Sequence, residues 1–134
     1  MDLKTFMPIL QKCCKHVHEE LDPTLVYTES NYQNSLVHYL LQSMPKAHIM
    51  KEINVLYRLS DGFVFGSGRI DILCETSDMC FILELKANVD QQRKYSSRFS
   101  GQTSRYVKHF QTTKTKHGIL VLFSSCTPII KALP

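Results

Sequence analysis

The strongest constraint in this chain is a pair of apolar stretches with charges set inside them. Residues 68–75 read Gly-Arg-Ile-Asp-Ile-Leu-Cys-Glu, and residues 79–87 read Met-Cys-Phe-Ile-Leu-Glu-Leu-Lys-Ala. Runs this rich in Ile, Leu and Phe, separated by the polar Thr76-Ser77-Asp78, read as two strands of a hairpin. If Ser77-Asp78 forms a two-residue turn, Cys74 pairs with Phe81, Ile72 with Leu83, and Ile70 with Leu85. All six are apolar, and cross-strand partners share a face. The opposite face then carries Leu73 with Ile82, Asp71 with Glu84, and Arg69 with Lys86. A one-residue slip would scramble both faces.

That register has a chemical consequence. Asp71 and Glu84 would stand opposite each other with Cβ atoms about 5 Å apart. Two carboxylates so placed repel unless one is protonated or a cation lies between them. Hard divalent cations such as Mg²⁺ accept this arrangement, taking one or two carboxylates together with substrate phosphate and water. Lys86 lies two residues beyond Glu84, hence on its face, where an ammonium can hold or deprotonate an attacking water and stabilise charge developing on phosphorus. Asp, Glu and Lys embedded in strands this apolar have few structural reasons to be there.

Around the hairpin the chain reads helix, helix, strand, hairpin, helix, strand. Leu3, Phe6, Leu10, Cys13, Val17 and Leu21 recur at steps of three or four, the stripe of an amphipathic helix that Asp22-Pro23 ends. A second helix starts near Thr28 or Ser30, both good N-caps, and runs to about Ser43, with Leu36, Val37, Leu40, Leu41 and Met44 inward. Stepping back through Tyr32 or Gln33 brings Glu29 to the end of that stripe, an odd place for a carboxylate. Residues 47–59 alternate with period two (Ile49, then Ile53, Val55, Tyr57, Leu59) and predict a strand; Asp61-Gly62 is a turn, and the next strand covers 63–75. Residues 88–98 are polar and basic without a period, which suits a loop or an irregular helix start. A third helix spans 99–112, with Gln102, Tyr106 and Phe110 on one face. Residues 118–123 (Gly-Ile-Leu-Val-Leu-Phe) suit a strand buried on both faces.

These elements together resemble the PD-(D/E)XK nuclease superfamily and, more narrowly, its GxxExxY group. The likeness is carried by Glu29-Ser30-Asn31-Tyr32, Arg69-Ile70-Asp71-Ile72-Leu73, Glu84-Leu85-Lys86-Ala87, and Gln102-Thr103-Ser104-Arg105-Tyr106 followed by the 118–123 run. It extends from about Tyr27 to Phe123. Val26 stands where the group has its leading Gly, and Ile70 where the superfamily motif has Pro.

The resemblance implies an α/β, restriction-endonuclease-like core in residues 27–124: helix, three antiparallel strands, helix, strand, in a mixed sheet flanked by helices. Residues 1–22 would be an N-terminal helical extension, packed on the domain or forming a dimer face. The resemblance also implies roles. Asp71 and Glu84 would bind Mg²⁺ (or Mn²⁺ in its place), with the Leu85 carbonyl and Glu29 completing the shell. Lys86 would orient the water, and Gln102 would reach the site from the third helix with Tyr106 one turn below. For Gln102 and Tyr106 a polar edge and a core aromatic are equally natural roles. Arg69 would contact phosphate or merely pair with an acid.

Charge points to the partner. From Lys86 to His117 there are eight Lys/Arg against one acid, net +7, whereas the rest of the chain is −3. Such asymmetry suits a polyanion, and Arg93, Lys94, Arg98, Arg105, Lys108 and Tyr106 are the expected DNA contacts, RNA sharing the same phosphate chemistry. Five scattered Cys, without CxxC or zinc spacing, suit reduced thiols inside a cell and give no reason to expect zinc. No apolar run nears the roughly 20 residues of a membrane span, and early charges (Asp2, Lys4, Lys12, Lys15) do not suit an export signal. The expected activity is metal-dependent hydrolysis of DNA, selective for structure rather than sequence and suited to repair or recombination, by a monomer or homodimer. The competing expectation is a domain that keeps the fold and binds nucleic acid or a partner without cutting.

Overall fold

The computed structural model describes residues 1–22, 24–88, 93–124 and 127–134, with the side chains of 93–97 outside that description. The order is α1 (Leu3–Glu20), α2 (Glu29–Ser43), β1 (His48–Arg58), β2 (Val64–Glu75), β3 (Met79–Ala87), α3 (Arg93–His109), β4 (Thr115–Phe123) and β5 (Ile129–Ala132). The strands form one mixed sheet in the order β1-β2-β3-β4-β5. β3 and β4 run parallel, with α3 as the crossover between them; the other neighbours are antiparallel.

α1 and α2 start where their sequences predict. Asp2 caps α1 by accepting from the Thr5 amide, and Thr28 caps α2 in a capping box with Asn31. α1 is no appendage: Phe6, Leu10, Cys13, Cys14 and Val17 are buried in one core with Leu36 and Leu40 of α2 and with Ile72, Cys74, Phe81, Leu83, Ile119 and Val121 of the sheet. Phe6 stacks on Phe81 with ring centroids 3.9 Å apart. That stripe is therefore covered within the chain. Cys13 and Cys14 serve as packing groups, burial pushing the Cys14 thiol far above the ordinary thiol range, so that it is not a thiolate at neutral pH.

Several boundaries and faces depart from expectation. α3 begins at Arg93, six residues before the predicted start, because residues 93–98 lack the apolar spacing that signals a helix. It ends at His109 rather than 112, the Phe110 amide closing the last turn on the Tyr106 carbonyl. β4 starts at Thr115, and the short β5, whose alternating half-exposed residues give no run to detect, was not foreseen. Leu41 of α2 faces solvent at 47% exposure, so the stripe narrows to Leu36, Val37, Leu40 and Met44.

The hairpin register is the one the sequence predicts. Ile72 pairs with Leu83, Leu73 with Ile82, Cys74 with Phe81 and Glu75 with Cys80, and the Thr76 amide donates to the Met79 carbonyl across the turn. The β2–β3 ladder stops at Ile72–Leu83. Beyond it β2 continues on β1 alone as far as Val64, while β3 continues on β4 to Ala87. The two strands thus part at Asp71 and Glu84, and none of the three cross-strand pairs expected beyond the ladder (Asp71–Glu84, Ile70–Leu85 and Arg69–Lys86) forms.

Candidate active site

The strands part because β1 and β2 switch faces together. Ile70 and Leu73 pack in the same cluster under α3, as do Met50 and Ile53 across from them, though residues three apart on a regular strand point to opposite sides. The switch falls at Glu52 and Asp71, opposite one another in the register, and Glu52 carries the left-handed φ of 57° that turns its strand over. Ile70 therefore lies on the α3 side, not beside Ile72 as predicted. Gln33, buried in α2, donates its amide to the Asp71 carbonyl at 2.5 Å and secures the switch.

Asp71 is thereby turned toward β3. Its Oδ2 accepts from the Leu85 amide at 2.7 Å, replacing a ladder bond with a side-chain bond across the opening. Glu84 is buried at 2% exposure, with Oε1 paired to Lys86 Nζ at 3.2 Å and Oε2 buried next to Asp71, with no N–H donor among the described residues. Burial first, then the charge of Asp71, raise the Glu84 carboxyl to about 7. Burial likewise raises Asp71, outweighing the Leu85 amide and Lys86. Burial pushes Lys86 down, but Glu84, with Glu29 and Asp71 behind it, outweighs that and holds the ammonium above its ordinary value. Lys86 is thus a cation at neutral pH, fitted to hold a water or phosphate oxygen rather than to remove a proton. Its Nζ also lies 5.0 Å from the Phe99 ring centroid.

The other expected members sit at the rim. Glu29 is exposed, not at a buried end of its stripe; its Oε1 accepts from the Ala87 amide at 3.4 Å, and its charge reaches Asp71 and Lys86. Among the described residues no three His, Cys, Asp or Glu side chains converge as a metal cage. Gln102 donates to the Tyr106 hydroxyl at 2.8 Å. Tyr106 is 3% exposed, close enough to Glu84 to feel its charge, so it lines the site from beneath and is not the nucleic-acid contact expected of it. Arg69 is exposed on the departing strand, away from Lys86.

Of the basic segment, Arg98, Arg105 and Lys108 are exposed on α3, and the side chains of Arg93 and Lys94 lie outside the described residues. Lys114 is held by Glu75 and the Thr76 carbonyl, and Lys116 by the Phe110 carbonyl, so these two serve the fold. Gln33 is the site residue that sequence reasoning missed; its only signal is a polar residue on the inner side of α2 next to Tyr32. Buried Thr103, whose hydroxyl bonds back to the Phe99 carbonyl within α3, was also unflagged.

The donor set fits a hard divalent cation. A buried carboxylate oxygen without an N–H donor among the described residues, next to a second carboxylate that burial also holds up, is short of positive charge on that side. No curated protein matches the chain. The crystal structure of SSO0001 shares the fold with a TM-score of 0.57 at 15% identity, over 96% of this chain and 77% of that one. The family model for the PD-(D/E)XK nuclease superfamily matches residues 4–132. With the parted hairpin and its acidic pair in place, that match over nearly the whole chain makes it a member of the PD-(D/E)XK nuclease superfamily.

Proposed function

We propose that this protein is a divalent-metal-dependent nuclease that hydrolyses phosphodiester bonds of DNA, selecting its substrate by structure rather than sequence. The observation that carries the reading is the buried Glu84 carboxyl facing half-buried Asp71, set beside a charged Lys86 at the mouth of the parted strands. Asp71, Glu84 and the Leu85 carbonyl would hold Mg²⁺ or Mn²⁺, which when bound supplies Lewis acidity at the scissile phosphate and lowers the pKa of a coordinated water. Lys86 orients the attacking water and stabilises charge developing on the phosphoryl oxygens. Glu29 at the rim and Gln102 above Tyr106 complete the polar wall. Exposed Arg98, Arg105 and Lys108, with Arg69 on the other side, would hold the phosphate backbone and contribute affinity without sequence readout.

A second reading is a domain that keeps the fold and binds without cutting. It draws support from the lack, among the described residues, of a third acidic, His or Cys ligand beside Asp71 and Glu84. One experiment separates the two. Branched, single-stranded and duplex DNA are incubated with the protein in Mg²⁺ or Mn²⁺, beside Asp71→Asn and Lys86→Ala. Cleavage that both substitutions lower by about 100-fold or more supports the nuclease; cleavage undiminished in both removes the site; binding without cleavage by every form supports the second reading.

A further inference from the structure

Past the point where β2 leaves β3, β1 and β2 run on as a two-stranded arm that ends in the turn around Asp61-Gly62. The arm is built firmly. Gly62 takes a φ of 92°, its amide donates to the Leu59 carbonyl, and the Phe63 amide donates to Asp61 Oδ1 at 2.9 Å. Arg58 holds the Gly62 carbonyl at 3.2 Å. Yet its end is apolar and open: Leu59 is 50% exposed, Phe63 63%, Val64 40% and Phe65 54%. The register slips between Tyr57 and Arg58, leaving Phe65 unpaired in the ladder and turned against the Tyr57 and His109 rings, at centroid distances of 6.1 and 5.7 Å.

Aromatic groups connect this tip with the catalytic opening. Tyr57 lies next to Tyr106 over Gly68, where any Cβ would overlap both side chains, and Tyr106 lies within reach of the Glu84 charge. The surroundings are basic. α3, whose C-terminal end meets the arm through His109, exposes Arg98, Arg105 and Lys108, and the arm itself carries Arg58 and Arg69 against one acid, Asp61.

We infer that the arm is a stacking platform for unpaired bases, which makes a single strand, or a single-stranded flap or end, the preferred substrate; this rests on the nuclease reading. Open aromatic rings bordered by cations fit a strand whose base faces are free, and a duplex keeps those faces inside its own stack. A second copy of the chain fits less well. Leu59, Phe63, Val64, Phe65 and the half-exposed Leu56 together offer roughly 450 Å² at the tip of a narrow ribbon, against about 800 Å² per partner in a stable protein interface.

The test measures binding in the Lys86→Ala background with divalent metal chelated, so that the strand stays whole, using labelled single-stranded, flapped and duplex DNA of equal length. Phe63→Ala with Phe65→Leu should weaken single-strand and flap binding about 10-fold or more and leave duplex binding and the salt slope unchanged, because stacking releases no counterions. Phe63→Tyr, which keeps the ring, should retain the affinity. Unchanged single-strand binding in the double variant, or equal losses for duplex, overturns the platform while leaving the nuclease reading intact. A Lys86→Ala protein that binds no DNA at all removes both. Sedimentation showing a wild-type dimer that the double variant converts to monomer assigns the tip to a second copy instead.

Discussion

Glu84 ties the chemistry of the site to its stability. Its carboxyl is raised from 4.5 to about 7, so the folded protein holds the proton more tightly than the unfolded chain does. Stability from this group is therefore present in full below about pH 4.5 and is lost as pH rises through 7, on the order of 3 kcal/mol in metal-free protein. Melting followed by circular dichroism in a chelator should show a fall of several degrees between pH 5 and pH 8. Glu84→Gln, which has no proton to lose, should flatten that dependence. At pH 8, added Mg²⁺ should restore the wild type and leave Glu84→Gln unmoved. Lys86 gives the complementary prediction: Lys86→Ala folds, since the side chain reaches the rim, and its single-turnover cleavage rate falls about 10²- to 10³-fold. The register pointed to the acidic pair, since the turn and the apolar face carried Asp71 and Glu84 to the same end of the hairpin. It did not show that the ladder ends one pair earlier and that Asp71 reaches β3 through the Leu85 amide. Gln33 was not legible, since a buried amide bonded to a main-chain carbonyl leaves no periodic trace.

At the scale of elements, the device that makes the site is the joint face switch of β1 and β2. It explains why extrapolating the hairpin worked as far as Ile72–Leu83 and failed at Ile70: strict period-two reading cannot foresee a left-handed residue such as Glu52 on the neighbouring strand. Gln33→Ala would leave the Asp71 carbonyl without its amide and should cost about 1–3 kcal/mol in urea unfolding, with a matching loss of cleavage that Gln33→Glu does not repair, a carboxylate having no N–H to donate. Gly68→Ala tests the arm's root. Its Cβ would overlap Tyr57 and Tyr106, so a loss of about 1–3 kcal/mol is expected. The α3 boundary was misplaced for a related reason: its basic first turns are set by the crossover from β3 to parallel β4, not by an apolar stripe.

Across the whole molecule, two layers of helix enclose one sheet, and α1 belongs to the larger core. Phe6→Ala should cost about 3–5 kcal/mol, a core-sized loss, measured by the urea midpoint at constant slope. The sequence showed α1's stripe but not what it covers, because a stripe records that a face is buried and not against which partner. The account as a whole stands on one claim: the fold brings Asp71 and Glu84 together to hold a divalent cation. Titrating Mn²⁺ into the protein and counting bound ions by paramagnetic resonance tests it most directly. Binding by the wild type that Asp71→Asn and Glu84→Gln each weaken at least 10-fold, with the fold intact by circular dichroism, is the predicted result. Mn²⁺ binding that is absent from the wild type, or equal in all three proteins, contradicts it.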